Sequence, residues 1–119
     1  MTMIRLALFI VLMSGCTTIG HAAPPSDWPD LKVIPHYVST KEMRDQCVRW
    51  TPALMSPMAC AVIDFNKMTC EMWFDKDFVT TSIERHENEH CRGKDHLGST
   101  YLLDLWTNWK GNKNANAGS

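Results

Sequence analysis

The segment HENEHCRGKDH, His86 to His96, sets three histidines, a glutamate and a glycine into eleven positions. On a helix His86 and His90 are four apart and share a face, so both imidazoles can reach one ion at the roughly 2.0–2.1 Å of a Zn–N bond. Glu87 stands about 100° further round the helix. That is too far for a third ligand, but it suits a group that holds a water beside the ion. Gly93 can take up the left-handed conformation that ends a helix and reverses the chain, which would bring His96 back toward the same ion. Three neutral nitrogens with a fourth position open are the donor set of a catalytic zinc centre rather than a closed structural one.

The segment matches His-Glu-x-x-His-x-x-Gly-x-x-His at every fixed position, and residue usage would produce that pattern by chance in roughly one chain in 10⁵ of this length. It resembles the extended zinc motif of the metzincins, within the zincin metallopeptidases. The resemblance implies one Zn2+ ion on His86, His90 and His96, with Glu87 as general base and Gly93 as the turn residue. The implied reaction is peptide hydrolysis, in which zinc polarises the carbonyl while Glu87 takes a proton from water and passes it to the leaving amine. The likeness spans eleven residues. No methionine follows His96, where metzincins carry a methionine turn, and the chain is shorter than their catalytic domains, so the resemblance implies a minimal zincin-like domain. Glu84, Glu89, Asp95 and Asp104 are the nearby carboxylates able to orient the imidazoles, although the usual place of each is as an ordinary solvated helix charge. Tyr101 could donate to an oxyanion or simply pack. His21 and His36 stand apart from the motif and have no claim on the ion.

The elements that must carry these residues can be read in turn. LKVIPHYV alternates in polarity but contains Pro35, which allows at most a short edge strand. Ser39 and Glu42 form a capping box for a helix over about 40–48, with Met43 and Cys47 on its inner face. ACAVIDF and MTCEMWF, separated by Asn66 and Lys67, read as an antiparallel hairpin. SIERHENEHCR runs without a breaker behind Thr80, Thr81 and Ser82, all candidate N-caps, and stops at Gly93. Leu102, Leu105, Trp106 and Trp109 recur at the spacing of an amphipathic helix whose stripe is a core face. The expected fold is α+β: a small antiparallel hairpin or sheet packed against two or three helices and stapled by disulfides.

The chain has 119 residues and a formal net charge of -1, enough for one domain, with no charge run that would suit nucleic acid. Arg5 followed by the apolar run Leu6 to Met13 reads as an export signal, and LMSGC resembles the lipobox of bacterial lipoproteins. That resemblance implies a signal over 1–15 and lipid on Cys16; the small, proline-rich residues that follow read as a tether over 16–27 ahead of a zinc-binding domain over 28–110, and the polar GNKNANAGS reads as a disordered tail over 111–119. Thr17 after the cysteine implies the outer membrane, facing the periplasm or the exterior. Cleavage near Ala22 or Ala23, giving a soluble periplasmic or secreted protein, is the alternative. Setting Cys16 aside leaves Cys47, Cys60, Cys70 and Cys91, an even set in an oxidising compartment, hence two disulfides. Three connectivities are open; Cys60 with Cys70 across neighbouring strands would leave Cys47 for Cys91.

Two function classes follow. One is a membrane-anchored zinc hydrolase, a metallopeptidase that takes a peptide or protein of the cell envelope laid along the hairpin edge. The other is a non-enzymatic envelope lipoprotein, an interaction or exclusion module whose zinc stabilises a small fold. Glu87 favours the first, because a structural site needs ligands but no base.

Overall fold

Residues 21–50 and 57–117 are described by the structure, a computed structural model. The signal, Cys16 and most of the TPALMSP breaker lie outside those residues. β1 (Lys32–Val38) leads into α1 (Thr40–Cys47), followed by a short 3-10 turn over Val48–Trp50. β2 (Ala59–Asp64) and β3 (Thr69–Asp75) form the hairpin, and α2 (Thr81–Cys91) and α3 (Tyr101–Ala117) complete the chain.

Local chemistry sets the boundaries. Ser39 is extended and its hydroxyl accepts the N–H of Glu42 at 3.2 Å, starting α1 where the capping box placed it. Thr80 does the same for the N–H of Ile83 and starts α2. Between β2 and β3, the Asp64 carboxylate accepts the N–H groups of Asn66 and Lys67, and Met68 takes a φ of 53° to complete the reversal.

The sheet order is β1-β3-β2, with β2 antiparallel and β1 parallel to β3. The hairpin is therefore as expected, but the sheet is mixed rather than antiparallel. The long connection from β1 through α1 permits a parallel pair, which a tight turn cannot make. Pro35 is accommodated because β1 lies at an edge.

β3 alternates across this sheet. Cys70, Met72 and Phe74 join Leu31, Phe65, Cys91 and Trp106 in one core, while Cys60 joins Met43 and Cys47 in a second, backed by Val38, Val62 and Trp73. The same alternation corrects the favoured disulfide pairing. In the hairpin register Cys60 faces Trp73 and Cys70 faces Ile63, so the two cysteines are three rungs apart and on opposite faces of the pleat. The bonds formed are Cys47–Cys60 and Cys70–Cys91. Each ties the last residue of one helix to one face of the sheet.

α3 buries Leu102 and Trp106, with Leu105 and Trp109 partly covered, as its stripe required. The helix does not stop at Lys110: it continues through Gly111 to Ala117, so most of the expected tail is helical. Lys110 and Lys113 lie over the rings of Trp106 and Trp109, one turn back, an attraction that favours the added turn. Among the described residues, no helix is long and apolar enough to cross a membrane.

Candidate metal centre

The roll of α2 decides which side chains meet. Glu87 and Cys91 are four apart and form its buried stripe, and the bond to Cys70 fixes that stripe against the sheet. His86 and His90 occupy the neighbouring stripe. Their Nε2 atoms lie 3.1 Å apart. His90 is oriented from behind: its Nδ1 donates to the carbonyl of Lys94 at 2.8 Å, which leaves the Nε2 lone pair facing His86. Lys94 is held in turn by Glu89, whose backbone carbonyl accepts its N–H and whose carboxylate pairs with its ammonium at 2.7 Å.

The chain then reverses at Gly93, with φ +84°. A side chain is excluded there twice over, because a Cβ would sit 2.5 Å from the indole of Trp28. Trp28 lies against the end of α2 and donates from Nε1 to the carbonyl of Cys91 at 3.0 Å. The reversal delivers His96, whose Nε2 stands 3.2 Å from that of His86. Asp95 braces this loop: it is buried, and its carboxylate accepts from the N–H of His96, the hydroxyl of Ser99 and the N–H of Leu102. Burial alone would push the Asp95 carboxyl up, but those donors outweigh it and hold the carboxyl below its ordinary value.

Sequence reasoning discounted one residue that belongs here. His21 lies in the expected tether, yet its ring centre is 4.6 Å from that of His86, 5.1 Å from His90 and 6.2 Å from His96. One ring nitrogen from each of His21, His86 and His90 falls within 4.8 Å of the others. An antiparallel bridge pairs His21 with His96, and the N–H of Ala22 donates to the carbonyl of Asp95 at 2.7 Å. The proximity arises from chain reversal, which residue spacing does not encode. His36 is elsewhere, stacked on Trp73 at 4.0 Å and bonded to Glu71.

The donor set can be tested against an ion. Two nitrogens held by one zinc at the tetrahedral angle are roughly 3.3 Å apart, and the rings behind them roughly 5 Å. The Nε2 separations of 3.1 and 3.2 Å fit, as do the centre distances of 4.6, 5.1 and 4.6 Å among His86, His90 and His96. Direct imidazole hydrogen bonding accounts for less, because His86 Nε2 has one in-plane site and two nitrogens facing it. Electrostatics agree. Burial, then the neighbouring His90, His21 and His96, lower the His86 pKa to about 4, and burial also lowers that of His90, which keeps these rings in the neutral form a metal requires. His21, His86 and His90 form a group that can hold one metal ion, with His96 beside His86.

Glu87 is 7% exposed and has no hydrogen-bond partner among the described residues, and burial pushes its pKa up to about 7. The other carboxylates take different places from those expected. None of Glu84, Glu89, Asp95 and Asp104 bonds an imidazole directly: Glu84 accepts from Tyr37, Asp104 from Thr100, and Glu89 and Asp95 act through the loop backbone. Tyr101 is 52% exposed at the start of α3, so it does not pack as expected. No protein-family model, curated protein or solved structure matches this chain.

Proposed function

We propose that this protein is an exported, lipid-anchored zinc hydrolase that cleaves peptide bonds, with His86, His90 and His96 as ligands and Glu87 as general base. The observation that carries the reading is Glu87 itself. A buried carboxyl without a partner costs stability, and a centre that only held metal would have no use for one one residue from a ligand. Zinc, when bound, would polarise the scissile carbonyl and acidify water. Glu87, with a pKa near neutrality, takes the proton from the attacking water and hands it to the departing amine as the C–N bond breaks, leaving a carboxylate and an amine. Because β1 covers β3, the free edge of the hairpin is that of β2, and an extended peptide can add there as a strand. Export and lipid attachment at Cys16 rest on the sequence of the first residues, outside the described structure.

A structural zinc centre in a non-enzymatic envelope lipoprotein is the competing reading, favoured by the fourth imidazole of His21. Metal analysis and a peptide-library digest of the purified protein separate the two. Glu87→Gln is expected to keep its zinc and lose turnover by roughly 10²–10⁴-fold, whereas His90→Ala loses the metal. Unchanged turnover in Glu87→Gln overturns the assignment of the base.

A further inference from the structure

We infer that His21 is a fourth nitrogen ligand, carried by an N-terminal strap that closes the metal centre at rest and must withdraw before the centre can work. The inference rests on the proposed zinc site and adds a regulator to it. Three observations carry it. First, His21 Nε2 is buried and has no hydrogen-bond partner, although the ring lies among three others that converge. A polar atom left so is expected where the structure lacks the atom it binds. Second, a ring nitrogen of His21 belongs with those of His86 and His90 in one ligand-sized group, while His96, at the outer side, is exposed. Third, the strap has defined contacts at rest. The His21–His96 bridge and the Ala22–Asp95 bond hold its start, and Trp28 against Gly93 and Asp27 paired with Lys110 hold its end.

The strap also looks separable. Among the described residues its hold near the metal is the His21 ring, one bridge and one backbone bond, and Pro24 and Pro25 follow immediately, so withdrawal costs few interactions and disturbs neither core. With His21 bound, four imidazoles fill a tetrahedral centre and no place remains for water or substrate. With His21 away, the three-histidine centre and Glu87 stand ready. Processing then matters. Cleavage before Cys16 leaves His21 in the mature chain, five residues after the lipid, whereas cleavage at Ala22 or Ala23 removes it.

The test substitutes Co2+ for zinc in the intact protein and titrates azide as a probe for an open position, reading the visible d–d absorption. If the strap is open less than about 10% of the time, apparent azide binding is weaker by at least about tenfold than in a chain without the ligand. His21→Ala is therefore expected to bind azide at least about tenfold more tightly than the parent and to change the cobalt spectrum before azide is added. Ala22→Pro, which lacks the N–H that Asp95 accepts, shifts both in the same direction by less, and His36→Ala shifts neither. Identical cobalt spectra and azide affinities in the parent and His21→Ala overturn the fourth ligand while leaving the three-histidine centre standing. Failure of the parent to bind cobalt or zinc at all overturns the centre and this inference with it. A mature N-terminus beyond His21 overturns the strap.

Discussion

The two faces of the sheet are built alike and finished differently. On one, α1 ends at Cys47, which is bonded to Cys60; on the other, α2 ends at Cys91, which is bonded to Cys70. In each case a capped helix is rolled onto the sheet by a disulfide at its last residue. On the α1 face the one carboxylate buried among the described residues, Asp75, is satisfied by the hydroxyl of Thr40 and the N–H of Asp77, and the other polar groups stay outside: Lys41 pairs with Asp45 in solvent, and His36 bonds Glu71 at a partly exposed site. On the α2 face they turn inward, with Glu87 buried and four imidazoles gathered at the end of the helix. The contrast is in the partners: the buried carboxyl beside α1 is given two donors, whereas that of Glu87 beside α2 has none among the described residues, which is a cost to stability.

Removing each disulfide tests that contrast most strongly. The sequence separations are 13 and 21 residues, so chain entropy predicts similar losses of about 3 kcal/mol for Cys47→Ala/Cys60→Ala and for Cys70→Ala/Cys91→Ala. Zinc affinity is expected to fall only in the second pair, because only Cys91 fixes the roll of the metal helix. Equal loss of zinc from both would dissolve the distinction. Denaturant unfolding and chelator competition measure the two quantities.

The helix ends sharpen it next. Gly93→Ala meets both a left-handed φ and the Trp28 indole, and should destabilise by about 2–3 kcal/mol. Val48, which caps α1 in a right-handed conformation and is 61% exposed, should tolerate alanine within about 0.5 kcal/mol.

Titration singles out Glu87 on the α2 face. In the metal-free protein the Glu87 pKa is raised from 4.5 to about 7, so between those values the folded state holds more protons than the unfolded one and stability falls as pH rises. Glu87→Gln removes this penalty. It should be more stable than the parent by about 3 kcal/mol at pH 8, with the gap closing below pH 4.5. The smallest effect belongs to His36→Ala, which loses a stacked ring and a half-exposed bond; about 0.5–1 kcal/mol is expected, with zinc content unchanged.

What could be read beforehand was local. Caps at Ser39 and Thr80, the hairpin, the stop at Gly93 and the stripe on α3 each depend on residues within a turn or two of one another, and each is present. The meeting of His86, His90 and His96 was legible for the same reason, since a helical turn and one glycine are enough to specify it. The unread features depend on distant segments. Strand parity decided the disulfides, but it acts only once the hairpin register is known. β1 pairs with β3 across the whole of α1 and β2, and His21 reaches a cluster that begins 65 residues later. Trp28 is a further case, since its indole lies over Gly93, 65 residues along the chain.

X-ray absorption at the zinc edge of the purified protein tests the centre most directly, because it counts the atoms that surround the ion. One zinc per chain in a shell of nitrogen at roughly 2.0–2.1 Å, with imidazole scattering that disappears along with the metal in His90→Ala, is the predicted result. A sulfur shell near roughly 2.3 Å, or a protein that carries no zinc, would contradict it.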